Sequence, residues 1–295
     1  MHRIIYELML VMAALIWGNA FVAQSVAMRY MGPWFFNAVR YLVGSFFLMA
    51  VLPLLDRIRG QETVKKADGN LLKGGIACGI CVAAASAFQQ IGLVYTTPGK
   101  AGFLTALYIV IVPVLLFFTG KKTGKNVWIA VILSLAGLYF LSMAETLSIS
   151  KGDLLEVCGA FLFSAQILCV AKYAQITDSV RLNCVQFLPA GIISIIPGMV
   201  LENPSFAAVK AAAVPILYAG IFSVAVAYTL QIVGQKHIHP AVASILMSLE
   251  SVFAVIGGFL ILHQALTPKE LLGCALIFAA VLTAQKEEKN TAGTL

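Results

Sequence analysis

The stretch Leu8–Ala27, LMLVMAALIWGNAFVAQSVA, carries no charged side chain. At about 20 residues it has the length an α-helix needs to cross the apolar core of a bilayer. Further runs of this kind lie near 33–55, 70–94, 99–119, 126–143, 152–174, 180–201, 211–234, 240–262 and 269–285. In hydrocarbon a backbone must satisfy its own hydrogen bonds, so each run is predicted to be a helix. Ten crossings consume about 200 residues of a 295-residue chain and leave only short loops. The composition agrees: 60% of residues are apolar, against 20 Lys and Arg and 13 Asp and Glu. Soluble chains are about half apolar and a quarter charged. A soluble enzyme, a nucleic-acid-binding domain and a sizeable extramembrane domain are thereby excluded. Arg3 followed by an apolar stretch has the order of a secretion signal. The stretch is too long for a signal core and further spans follow at once, so the first span is predicted to be retained.

The net charge of +7 reads as topology once its placement is followed. One side of the ten-span layout collects Arg3, Arg57, Arg59, Lys65, Lys66, Lys73, Lys121, Lys122, Lys125, Lys172, Arg181, Lys236, Lys286 and Lys289. The other holds Arg29, Lys100, Lys151, Lys210 and Lys269. Basic residues accumulate on the cytoplasmic side, which predicts a multi-pass protein of the cell membrane with both termini in the cytoplasm. All six cysteines fall within spans. Cys78 and Cys81 have metal or redox spacing, but no His or acid accompanies them, so packing is expected and no metal.

A repeat runs through the chain. Phe36-Asn37-Ala38-Val39-Arg40-Tyr41-Leu42 matches Leu182-Asn183-Cys184-Val185-Gln186-Phe187-Leu188 at an offset of 146 (182 − 36), and Ser86-Ala87-Phe88-Gln89-Gln90-Ile91 resembles Ala227-Tyr228-Thr229-Leu230-Gln231-Ile232 at 141 (227 − 86). Both segments of the second match are followed by a proline that opens the next span, Pro98 and Pro240. Two matches in one order imply a duplicated five-helix unit, residues 1–145 and 146–295. Five is odd, so the second copy enters the bilayer from the opposite face, an arrangement used by carriers with a midplane substrate site. The expected class is an all-α integral membrane protein of ten transmembrane helices in two inverted five-helix repeats.

Span 1 reads Ala13-Ala14-Leu15-Ile16-Trp17-Gly18-Asn19-Ala20-Phe21. Spans 9 and 10 contain Ser248-Leu249-Glu250-Ser251-Val252-Phe253-Ala254 and Leu266-Thr267-Pro268-Lys269-Glu270-Leu271-Leu272-Gly273. With the ten-span layout, these strings resemble the EamA-type branch of the drug/metabolite transporter superfamily over essentially the whole chain. The resemblance implies export of small metabolites, amino acids or drugs through a cavity lined mainly by spans 1, 3, 4, 6, 8 and 9. In that family a proline commonly follows the span-9 glutamate, where Ser251 stands here. The usual acid near the end of span 9 is replaced by His263 or Gln264.

The intramembrane polar residues are the candidate site. Glu250 lies near the middle of its span, where an ionised carboxylate costs at least about 2.5 kcal/mol. It is read as a structural acid, as a substrate or proton-coupling group, or as a neutral spectator. Arg40 is the one base deep in a span, and three readings stand: a pair with Glu250, snorkelling to the outer surface, or contact with an anionic substrate group. Trp17, Asn19, Gln24, Gln89, Gln90, Tyr108, Gln166, Tyr228 and Gln231 supply uncharged polarity for helix-to-helix hydrogen bonds or for a ligand cavity. Trp17 and Tyr228 are candidates to stack on an aromatic or cationic substrate. Pro98, Pro113, Pro189 and Pro240 are candidate helix breaks, and Pro197 is a further proline within span 7. His237, His239 and His263 read as loop histidines. No nucleotide-binding loop or nucleophile elbow is present, so neither cofactor nor catalytic residue is expected. The partners are a small-molecule substrate and the lipid bilayer, with a proton as a candidate coupling ion and no nucleic acid. A secondary carrier using alternating access is favoured over a receptor or channel, and further over a membrane-embedded enzyme.

Overall fold

A computed structural model describes residues 2–59, 69–120, 123–142, 150–262 and 267–292; the replacement positions His263 and Gln264 fall outside them. Helices α1 (His2–Ala27), α2 (Pro33–Arg59) and α3 (Gly69–Gly92) are followed by a divided span, α4 (Pro98–Thr105) and α5 (Tyr108–Phe118), and by α6 (Lys125–Ser142). Then come α7 (Lys151–Tyr173), α8 (Ser179–Leu201), the short α9 (Phe206–Ala211) and α10 (Ala213–Leu217), a π-helical stretch Tyr218–Ala227 and α11 (Tyr228–Gln235). The second divided span is α12 (Pro240–Met247) with α13 (Leu249–Leu262), and α14 (Pro268–Ala292) ends the bundle. Among the described residues nine stretches are long and apolar enough to cross a membrane, and Lys125–Leu141 is a shorter apolar helix. Large apolar side chains such as Phe46, Phe118, Val200 and Val214 point outward, as a lipid-facing surface requires.

Local chemistry explains the helix starts. Pro98 and Pro240 stand at first helical positions, where a missing N–H costs nothing and the fixed φ suits the helix. Ser150 and Asp153 form a capping box at the start of α7, and Asp178 caps α8 by accepting from the Val180 and Arg181 amides.

Pro113 and Pro189 depart from expectation, because α5 and α8 run through them. The interruptions fall instead at Ala106–Leu107 and at Ser248. Ala106, Leu107 and Ser248 have ψ of −5°, −14° and −13°, and the ladder tightens there to three-residue bonds, Ile109 N to Ala106 O and Ser251 N to Ser248 O. No proline follows Ser248 within α13, so the tight turn needs none. In a transmembrane helix the carbonyl freed by an internal proline is tolerated through local adjustment.

The two chain ends lie together. Arg3 Nη2 donates to the Gln285 carbonyl at 3.4 Å, and Gln285 Nε2 to Glu7 Oε2 at 3.2 Å. The most extensive helix pairings join α6 with α14, α2 with α8 and α3 with α7. The α2–α8 pair is locked at both extremities. Near the chain ends Arg181 makes a forked pair with Asp56, its shorter arm 2.6 Å. At the far end both Glu202 carboxylate oxygens accept from the Trp34 and Phe35 amides at 2.9 Å, so an acid sits on the positive end of α2.

His237, in the loop between α11 and α12, stacks on Tyr6 at 3.8 Å. Burial and then the neighbouring Lys236 hold its imidazole below the usual 6.5. A lowered folded pKa means the neutral ring is the stabilising form. Its contribution is present above the unfolded pKa and is lost as pH falls through the folded value. His237→Phe keeps the stack and removes the titration. The melting temperature of that variant is expected to fall less than wild type between about pH 7.5 and pH 5.5, measured by thermal unfolding in detergent.

Candidate functional site

A cavity in the middle of the bundle is lined by Trp17, Phe21 and Gln24 of α1, Gln89 of α3 and Thr105 and Tyr108 flanking the first interruption. Phe163, Gln166 and Ile167 of α7, Ser223, Tyr228 and Gln231 of the eighth span, Met247 and Glu250 flanking the second interruption, and Arg40 of α2 complete it. Its interior is about 50 Å³, and a water needs at least roughly 10–15 Å³ of such space. The space therefore holds a few waters or one end of a small metabolite, and a whole ligand requires the helices to move.

The walls are built in pairs. Phe21 and Phe163, Gln24 and Gln166, Gln89 and Gln231, Thr105 and Met247, and Tyr108 and Glu250 all line the cavity. Each pair is 142 positions apart, as in 163 − 21 = 142. The prolines Pro98 and Pro240 and the interruptions at Ala106 and Ser248 keep the same spacing. One of the pairs is joined directly, since the Tyr108 hydroxyl donates to Glu250 Oε1 at 2.8 Å. Ser251 Oγ donates to the Gly102 carbonyl at 3.1 Å, tying the two divided helices together. Five lining residues fall outside the pairing: Ile167 and Ser223, and Trp17, Arg40 and Tyr228, for which Gly159, Gln186 and Ser86 occupy the positions at offsets of 142, 146 and 142. Rings of Trp17 and Tyr228, Tyr228 and Phe187, and Phe187 and Tyr41 meet at 4.9, 4.9 and 5.0 Å. Trp17 and Tyr228 thus contact each other edge-on within one aromatic wall.

Nine of the eleven side chains expected to supply polarity or charge come together here; Asn19 and Gln90 do not line the cavity. Asn19 returns its Nδ2 to the Leu15 carbonyl of its own helix at 2.9 Å and lies against Gly257. Gln90 is fully buried beside the cavity-facing Gln89; on a helix, adjacent residues point about 100° apart, so both cannot face one space. Arg40 neither snorkels nor pairs with Glu250. It is 4% exposed, with Nη1 donating to Gln24 Oε1 at 3.0 Å and Nη2 to the Tyr41 hydroxyl at 3.3 Å. Glu250 instead accepts from the Tyr108 hydroxyl.

Two residues overlooked in the sequence extend the site. Gln89 Nε2 donates to Thr105 Oγ1 at 3.1 Å, and Thr105 Oγ1 donates to Glu156 Oε2 at 3.1 Å. Glu156 is fully buried. Its signal was an acid a few residues inside the sixth span, beside the more obvious capping residue Asp153. At the end remote from the termini Asp153 closes the bundle, accepting from Lys100 Nζ at 2.6 Å and Thr96 Oγ1 at 2.8 Å. At the end carrying the termini a wider cavity of about 560 Å³ is lined by Leu168, Lys172, Gln175, Gln235, His237 and His239 among others. Between it and the central cavity Gln231 Nε2 donates to Gln166 Oε1 at 3.3 Å and Gln235 Nε2 to the Ile167 carbonyl at 3.5 Å.

Comparisons with known proteins give relatives, a shared fold and a family. The chain is 30% identical over 281 residues to an uncharacterized transporter of Archaeoglobus fulgidus, covering 95% of this chain and 85% of that one. It is 27% identical to the uncharacterized transporter YwfM of Bacillus subtilis, covering 98% and 97% of the two chains. A solved crystal structure shares the fold, with a TM-score of 0.79 at 17% identity and coverage of 97% and 98%. The EamA-like transporter family matches twice, over residues 4–143 and 150–284, and the chain belongs to that family.

Proposed function

We propose that the protein is a secondary-active carrier that exports small metabolites, amino acids or drugs by alternating access. Its ten transmembrane helices form two inverted five-helix repeats around the midplane cavity. The observation that carries this reading is the cavity wall of residue pairs 142 positions apart. Three of the five pairs are identical in side chain, so such a wall supports rocking of one half against the other that exposes the same site in turn. Unequal closure at the two ends supports a resting state that faces the chain termini. An ion pair and a capping box seal the far end, whereas two glutamine contacts of 3.3 and 3.5 Å separate the central cavity from the wide vestibule. The bias of basic residues supports a cytoplasmic vestibule in a cell-membrane protein. Glu250 is the proposed proton-coupling group, since it is the one carboxylate lining the cavity.

The test is counterflow in liposomes containing the purified protein, with a panel of labelled amino acids. Saturable uptake accelerated by unlabelled compound inside is the expected result. Flux that rises without saturation and without acceleration from the trans side overturns the carrier reading in favour of a channel.

A further inference from the structure

We infer that Arg40 anchors a carboxylate of the transported molecule, so that the cavity selects small compounds with a carboxylate at one end and an apolar body over amines that lack it. This rests on the carrier reading above. A guanidinium keeps its charge in any environment, and a buried charge is costly unless it is paired. Among the described residues Arg40 has no ion pair; its two hydrogen bonds go to the neutral Gln24 and Tyr41. Its guanidinium carbon lies 5.4 Å from the Phe36 ring centroid and 4.9 Å from that of Tyr41, which aids retention of the cation without neutralising it. Nε has no partner among the described residues, although the residue lines the cavity.

The surrounding donors point the same way. Trp17 Nε1 and Gln166 Nε2 line the same space and are also buried without a partner among the described residues. Arg40 is thus a cation on the cavity wall with a donor to spare, and a carboxylate offers it about four lone-pair positions and forked geometry. A phosphate dianion needs more positive charge, and Arg40 is the one base lining the cavity. Phe21, Phe163, Ile167 and Met247 provide the apolar remainder. Gln186, the repeat counterpart of Arg40, turns to Asn183 at 2.8 Å, so the shared scaffold has no need of a cation at this position.

Three probes of nearly equal size separate the contributions: 4-methylpentanoate (carboxylate alone), leucine (carboxylate and ammonium) and isopentylamine (ammonium alone). With wild-type protein in detergent, the two carboxylates at millimolar concentration are expected to raise the melting temperature. Isopentylamine should require at least a tenfold higher concentration for the same shift. Arg40→Gln should erase this preference, and Arg40→Lys should retain part of it, keeping the charge but losing the fork. The assignment is overturned if neither carboxylate shifts the transition, if isopentylamine matches them, or if folded Arg40→Gln keeps the wild-type preference. Should Arg40→Gln fail to fold, the wild-type ranking of the three probes decides. Counterflow of the labelled probes keeps the two readings apart. Saturable exchange of isopentylamine alone leaves a carrier without this anchor, whereas carboxylates that bind and never exchange leave the anchor without a carrier.

Discussion

Gly18→Val is expected to prevent recovery of folded protein, with a cost at or above the upper end of the roughly 1–3 kcal/mol typical of overpacking. A Cβ at Gly18 would stand 2.6 Å from the Glu250 carbonyl oxygen, 2.7 Å from the Ala254 nitrogen and 2.7 Å from Phe253 Cβ. Two of these atoms are backbone of α13, so no rotamer change relieves the clash and α1 must separate from α13. Without water to squeeze out, membrane helices associate through close packing of this kind, and the displaced segment carries Glu250 itself. Gly18→Ala should be impaired by the same clash, less severely because it adds a single methyl. Recovery of monodisperse protein by size-exclusion chromatography checks the pair; a Gly18→Val variant that elutes and melts like wild type would show that the α1–α13 contact is looser than the geometry indicates.

Glu250→Gln is expected to remove all stimulation of flux by an imposed pH gradient while leaving substrate exchange at equal pH. Glutamine preserves the shape and the acceptor that receives the Tyr108 hydroxyl at 2.8 Å, so the junction of the two divided helices survives. What it lacks is an exchangeable carboxyl proton, which a proton-coupled cycle must load and release. Tyr108→Phe makes the complementary change. It deletes the donor, keeps the carboxyl, and should destabilise the protein by about 1–3 kcal/mol with pH stimulation retained in the folded fraction. Liposomes preset at chosen internal and external pH supply the measurement. Equal stimulation of wild type and Glu250→Gln would remove Glu250 from the coupling step, and loss of the Glu250→Gln fold would assign it to helix packing.

Comparison of particular elements shows what local pattern conveys. The apolar run from Leu8 to Ala27 lies within α1, and the prolines Pro98 and Pro240 open helices, because hydropathy and a missing N–H act within one turn of chain. Pro113 and Pro189 misled for the converse reason. Whether a proline bends a helix depends on whether the freed carbonyl is accommodated by its surroundings, and no single segment contains those. Thr105 and Glu156 were overlooked because each is unremarkable alone and acquires meaning only when Thr105 Oγ1 reaches Glu156 across 51 positions. The 142-position pairing of Phe21 with Phe163 and Gln24 with Gln166 was present in the string, but only the cavity singled out those residues from many apolar coincidences.

By itself, then, the amino-acid order determined an all-helical chain rich in membrane-spanning apolar segments, its family and most of the polar side chains worth asking about. Those properties follow from the free energy of moving each short segment out of water, a sum over neighbours in sequence. Tertiary structure alone decided that Arg40 is buried against Gln24 and Tyr41, that Glu250 belongs to Tyr108, and that Asn19 and Gln90 turn away from the central space. Such choices are made by groups far apart in the chain competing for the same few hydrogen-bond partners where no water can substitute, and only the packed bundle says which of them meet.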